Sequence, residues 1–200
     1  MKKAVAILIS GRGSNMRALI AATQAPDYPA RIACVISNRE DAPGLQEAHA
    51  LGMPTQVIPS KGLNREDFEI RLNDALRQAQ AEIICLAGFM RLFTPDFTRA
   101  WYGRMLNIHP SLLPAFKGLD VHQRVVESGV RYTGCTVHFV SPEMDEGPII
   151  LQAAVPVAQD ATPEQVAEAV LTEEHKLYPQ ALRLLAEGRL KIDGPRVLIS

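Results

Sequence analysis

Ala4-Val5-Ala6-Ile7-Leu8-Ile9 is a short apolar run that passes directly into Ser10-Gly11-Arg12-Gly13-Ser14-Asn15. Such a run is far shorter than a membrane span, and Gly11-Arg12-Gly13 ends it too early for a secretory leader, with Arg17 close behind. It reads as a strand buried on both faces. Helical spacing follows to about Thr23, with Ser14 or Asn15 expected as the N-cap. A strand, a glycine turn and a helix begin a βαβ unit, and the rest of the chain repeats the alternation. Arg31 to Ile36, Gln56 to Ile58, Ile83 to Leu86 and Met105 to Ile108 are further short strands. Between them, Asn64 caps a helix to about Gln80, with Phe68, Leu72, Ala75, Leu76 and Ala79 on one face. Thr133 to Val140 and Ile149 to Val157 are longer, alternate in polarity and flank a turn-rich segment, which suits an antiparallel pair. Thr162-Pro163 opens a long helix striped by Val166, Val170 and Leu177, and Pro179 is expected to kink or break it. The fold class that follows is α/β: a Rossmann-like, mostly parallel central sheet, helices on both faces, and an antiparallel C-terminal addition. Val197-Leu198-Ile199-Ser200 is an apolar end suited to an edge strand.

Composition narrows the function. The 200 residues carry 21 Lys and Arg against 22 Asp and Glu, a net charge of −1, with 47% hydrophobic and 22% charged side chains. That is an ordinary globular composition. The first hundred residues hold 12 basic and 10 acidic side chains and the second hundred 9 and 12, so neither half is a footprint for nucleic acid. Cys34, Cys85 and Cys135 each lie inside an apolar run, are odd in number and form no CxxC pair. Buried thiols in a cytoplasmic protein are the expectation, with no membrane and no metal.

Three segments carry candidate chemistry. The Ser10 to Asn15 turn presents backbone N–H groups and a helix N-terminus at the C-terminal edge of the sheet, a geometry that binds an anion. It lacks the third glycine and the acidic residue of a dinucleotide fingerprint, and no Gly-Lys-Ser/Thr of a Walker loop follows. A single phosphate is its best ligand, and a plain turn is the alternative. In Leu106-Asn107-Ile108-His109-Pro110-Ser111, Asn107 and His109 point to one side of an extended segment. An amide beside an imidazole suits oxyanion stabilisation and proton movement, whereas a histidine before proline is also a common structural residue. Ser141-Pro142-Glu143-Met144-Asp145-Glu146-Gly147 is an acidic loop whose carboxylates either reach His109 or solvate a hairpin. His138 reads as a packed side chain, His49 as part of a surface helix, and Glu173-Glu174-His175 as a solvated helix face or a polar hand for an amine.

Together these pieces resemble the phosphoribosylglycinamide formyltransferase family, the folate-dependent enzymes of purine synthesis. Five segments in order carry the resemblance: Ile9 to Asn15, Leu86-Ala87-Gly88-Phe89-Met90-Arg91, Leu106 to Pro114, Val137-His138-Phe139-Val140 on to Asp145, and Ile149-Ile150-Leu151-Gln152. The resemblance implies formyl transfer from 10-formyltetrahydrofolate to the primary amine of 5'-phosphoribosylglycinamide through a tetrahedral intermediate, with no metal. It implies Asn107, His109 and Asp145 as the catalytic group and Gly13, Ser14 and Asn15 on the substrate phosphate, with Glu174 near the amine end. Folate would meet Arg65, Met90, Arg91, Leu92, Phe93 and Asn107, and the loop Ser141, Pro142, Glu143, Met144 and Asp145. On this reading residues 1–200 are one formyltransferase domain, 1–100 the phosphate-binding half and 101–200 the catalytic and folate-binding half. The expected partners are small molecules, and the chain is a monomer or homodimer. Two positions depart from the family pattern: Asp120 stands where His is common, and Arg12 where a small or amide residue is common. The rivals are another formyl-transfer enzyme, such as a formyltetrahydrofolate hydrolase, and a non-catalytic folate- or nucleotide-binding module.

Overall fold

The computed structural model describes residues 1–200. In chain order the elements are β1 (Lys3–Ile9), α1 (Ser14–Thr23), β2 (Ala30–Ser37), α2 (Pro43–Ala50), β3 (Thr55–Val57), α3 (Arg65–Gln78), β4 (Ile83–Leu86), α4 (Pro95–Ala100), β5 (Met105–His109), α5 (Val121–Ser128), β6 (Tyr132–Phe139), β7 (Ile149–Pro156), α6 (Pro163–Ala186), β8 (Leu190–Asp193) and β9 (Arg196–Ile199). One nine-stranded sheet runs in the order β3-β2-β1-β4-β5-β6-β7-β9-β8. The first five strands are parallel neighbours, whereas β6 is antiparallel to both β5 and β7. This is the expected α/β class, with its antiparallel addition in the expected place.

Strand alternation separates two cores. Val5, Ile7 and Ile9 of β1 face one cluster with Met16, Leu19 and Ile20 of α1 and Val170, Tyr178 and Leu182 of α6. Ala6 and Leu8 face the other, with Phe68, Leu72 and Leu76 of α3 and Phe97 of α4. The second core contains a ladder of rings, Phe68, Phe89, Phe93, Phe97 and Trp101, with successive centroids 6.2, 5.4, 4.6 and 6.4 Å apart. Stacked pairs of this kind add roughly 0.5–1.5 kcal/mol each beyond their burial.

Three local expectations are corrected. The N-cap of α1 is neither Ser14 nor Asn15 but Gly13, in the left-handed region at φ 71°, without a side-chain cap. Glycine takes that conformation without steric cost, which frees Ser14 and Asn15 for other partners. Helix α6 runs unbroken through Pro179, because Tyr178, Ala181 and Leu182 around it are fully buried and outweigh one lost backbone bond. The apolar end forms a hairpin, β8 and β9, rather than one edge strand. The other caps are as read: Asn64 accepts from the Asp67 N–H at 2.7 Å, and Thr162 forms a capping box with Gln165.

Candidate active site

Strand β5 carries the chemistry because its outer half loses its helical cover. Met105 packs into the second core, and the next two residues on that face are Asn107 and His109. Across the antiparallel ladder Asn107 pairs with His138 and His109 with Thr136, so all four side chains share one face. On this face the sheet meets the turn 111–118 and the loop 141–147.

His109 is 6% exposed, and oxygen atoms face both of its ring nitrogens. Its Nε2–H donates to the Phe116 carbonyl at 2.9 Å, while Nδ1 lies 3.4 Å from Asp145 Oδ2. The Asp145 carboxylate, with 10% of its side chain exposed, also accepts from the Gly118 N–H at 2.9 Å and lies 3.9 Å from His138 Nε2. Asp145 has φ 57°, uncommon for a residue with a side chain, so the loop bends against local preference to turn this carboxylate inward. Gly147 closes the same loop: a Cβ there would lie 1.7 Å from the Phe139 carbonyl oxygen.

His138 is packed, as its sequence neighbourhood suggests, yet it belongs to this cluster. Burial holds its imidazole below the ordinary range, with Asp145 opposing that shift and His109 reinforcing it. Its Nδ1–H donates to the Phe139 carbonyl at 2.9 Å, leaving Nε2 as an acceptor 3.2 Å from Asn107 Nδ2. Asn107 therefore spends one N–H on His138 and keeps the other. Opposite the Val137–His138 step, β7 contributes one extra residue, Ile150, a bulge of the kind that re-aims side chains beside sites. His122, half-buried and with no partner for Nδ1, is held below its ordinary range by burial and by the nearby His109.

The second feature is a 390 Å³ cavity at the C-terminal ends of β1 and β4, lined by Ser10, Gly11, Arg12, Gly13, Ser14, Asn15, Asn38, Arg39 and Met90 among others. It contains the N-terminus of α1, with Arg12 and Arg39 in its lining and the Arg39 guanidinium paired with both oxygens of Asp41, a setting for a small anion at the helix end. Asn38 was missed by the sequence reading; it accepts from Ser10 Oγ at 2.6 Å and donates to Ser60 Oγ at 3.0 Å, fixing the floor. Asn15 Nδ2 donates to Glu174 Oε2 at 2.8 Å, which joins two residues 159 positions apart. Burial pushes the Glu174 carboxyl up to about 6, partly offset by that bond.

The remaining sequence candidates scatter. Met90 and Leu92 are exposed, as are Pro142, Glu143 and Met144, and Ser141 is half-buried, its hydroxyl donating to the Glu143 carbonyl. Phe93 is buried within the aromatic ladder. The Arg91 side chain donates to the carbonyls of Ser60, Leu63 and Asn64 and stacks over Phe68, so it braces a loop. Arg65 lines a separate groove between α3 and α4 with Glu69, Asn73 and Arg99. Asp120 is exposed at φ 53°, and Arg12 is exposed at the rim of the cavity.

A doubly wound sheet that ends in a polar cavity at a helix N-terminus, beside a cluster of amide, imidazole and carboxylate side chains, has the layout of the α/β proteins that bind small molecules at the C-terminal ends of their strands. The formyl transferase family matches residues 3–182, and the chain belongs to that family. It is 42% identical to phosphoribosylglycinamide formyltransferase of Haemophilus influenzae, an alignment covering 96% of this chain and 91% of that protein. It is 49% identical to the trifunctional purine biosynthetic protein adenosine-3 of Bos taurus over 96% of this chain, but spans only 19% of that protein's length. In structure it is similar to glycinamide ribonucleotide transformylase 1 from Symbiobacterium toebii, with TM-score 0.96, 45% identity, and coverage of 99% of this chain and 94% of that one.

Proposed function

We propose that this chain transfers the formyl group of 10-formyltetrahydrofolate to the primary amine of 5'-phosphoribosylglycinamide. The observation that carries the reading is the convergence of Asn107, His109 and Asp145 on one face of β5. The cavity at Gly13, Ser14 and Asn15 suits the substrate phosphate, and Glu174, bonded to Asn15, suits the amine end of the same substrate. The exposed apolar side chains of Met90, Leu92 and Met144 suit contact with a flat folate ring. Three buried thiols, with Cys34 pushed up to about 11 and Cys85 and Cys135 to about 12 by burial, accord with a reducing cytoplasm and with one small-molecule enzyme domain.

In the reaction the amine nitrogen bonds to the formyl carbon, and the carbonyl electron pair moves to oxygen. Asn107 donates to that oxyanion with the N–H that His138 leaves free, and the His109 imidazolium, its Nε2–H engaged by Phe116 and its Nδ1–H shared with Asp145, stabilises the same charge. Each donor of this kind is typically worth roughly 3 kcal/mol of barrier. Asp145 supports the imidazolium and takes the proton shed by the amine. On collapse the carbon–nitrogen bond to the folate breaks, and that proton passes to the departing folate nitrogen.

The test is a spectrophotometric assay of the purified chain with 10-formyl-folate, with and without the phosphorylated amine. Turnover that requires the amine supports the reading. Turnover without it means formyl-folate hydrolysis, and absence of turnover alongside folate binding means a binding module or another acceptor.

A further inference from the structure

The Nε2–H of His109 ends on a backbone carbonyl, and that carbonyl belongs to a turn held partly from within, by the Ala115 N–H on the Leu112 carbonyl at 3.0 Å, and partly from outside. Phe116 has φ 54°, a conformation unfavourable for a bulky residue, and it is in this geometry that its oxygen meets His109. The outside restraint comes from the neighbouring strands. Thr136 is fully buried on β6, directly opposite His109 on β5, and Gln152 on β7 lies directly opposite Thr136. The three side chains form one row across three strands.

The hydroxyl of Thr136 is saturated. It donates to the Ser111 carbonyl at 2.7 Å and accepts from the Leu113 N–H at 3.0 Å and from Gln152 Nε2 at 2.9 Å. Gln152 Nε2 also donates to the Leu113 carbonyl at 3.0 Å, and the buried Ser111 hydroxyl donates to the Ala115 carbonyl at 2.5 Å. Residues 111, 113 and 115 are thus clamped immediately before Phe116. A hydroxyl is required at position 136, since only a group that donates once and accepts twice can serve Ser111, Leu113 and Gln152 together.

We infer that Thr136 and Gln152 are positioning residues for the reaction: they hold the 111–116 turn so that the Phe116 carbonyl fixes the ring of His109, leaving Nδ1 towards Asp145. The inference rests on the proposed formyl transfer for its kinetic arm only. Its other arm reads the imidazole directly.

Thr136→Val keeps the shape and removes the hydroxyl, Thr136→Ser keeps the hydroxyl, and Gln152→Leu removes the outer donor. Nitrogen-15 NMR of the His109 ring follows solvent exchange of the Nε2 proton, and steady-state kinetics follows turnover. In Thr136→Val we expect Nε2–H exchange at least tenfold faster, and kcat ten- to a hundredfold lower with both KM values within about twofold. Thr136→Ser should restore both readouts. Gln152→Leu, which leaves the buried hydroxyl in place, should move them the same way by about three- to tenfold and serves as the decisive variant if Thr136→Val does not fold. Unchanged Nε2–H exchange in a folded Thr136→Val, or in Gln152→Leu where the former does not fold, overturns the inference, as does a serine variant no better than valine. If the parent enzyme proves to have no transfer activity, the proposed function fails, while the exchange measurement still decides this inference.

Discussion

Glu174→Gln should stabilise the protein at neutral pH while impairing its reaction. Glu174 is 6% exposed, and burial raises its carboxyl from an ordinary 4.5 to about 6. At ~1.4 kcal/mol per pH unit, the ionised side chain costs the folded state about 2 kcal/mol. The sign follows from the raised value. Below pH 4.5 the carboxyl is protonated in both folded and unfolded chains, and the cost is absent. Between 4.5 and 6 the unfolded chain releases its proton first, so stability falls as pH rises, and above 6 the cost is complete. Glutamine keeps an oxygen to accept from Asn15 and has no charge to bury. The gain over the parent should therefore be about 2 kcal/mol at pH 8 and close to zero at pH 4.5, read from urea unfolding at both pH values. For a chain of this length that corresponds to a Tm increase of about 4–8 °C at pH 8. Transfer should weaken in the same variant, because a carboxylate retained at such a cost is retained for its ligand. A stability difference that is the same at both pH values would refute the reasoning, since it would not come from ionisation.

Three further outcomes test other parts of the structure. His109→Ala and Asp145→Asn should each lower kcat by about two orders of magnitude with ligand affinity largely kept, measured by steady-state kinetics beside calorimetric binding; near-normal turnover in both removes them from the catalytic group. Gly147→Ala should lower kcat at least tenfold, because its Cβ would sit 1.7 Å from the Phe139 oxygen and must displace the loop that carries Asp145. An alanine enzyme with parental kinetics shows that the loop accommodates the methyl group elsewhere. Tyr178→Phe should cost roughly 1–3 kcal/mol in urea unfolding, because the buried hydroxyl donates to the carbonyls of Leu86 at 3.0 Å and Leu106 at 3.1 Å. A loss below about 0.5 kcal/mol means the two carbonyls find other partners.

What the sequence made legible was what depends on local periodicity. The β1 run, the Asn64 cap and the alternation of β6 and β7 each involve neighbours within a few residues, and each falls where its pattern places it. Asn107 and His109 were legible for the same reason, being two apart on one strand. What stayed hidden depends on register between strands. His138 and Thr136 look like packed residues in an apolar run, and only the pairing of β6 with β5 sets them beside Asn107 and His109. Asn15 and Glu174 are 159 positions apart, and their bond exists because α1 and α6 pack on the same sheet face. The Arg91 side chain illustrates the converse. Its motif suggested a ligand contact, and the structure adds a bracing role that the motif did not signal: its guanidinium donates to three backbone carbonyls and lies over the Phe68 ring. A motif therefore names the residue type that chemistry needs, whereas the hydrogen bonds that hold that side chain come from segments distant in sequence. Asn107 keeps one N–H without a partner, His109 and Asp145 face each other at 3.4 Å, and the pairing of β5 with β6 together with the turned-in 141–147 loop brings the three within reach of one another.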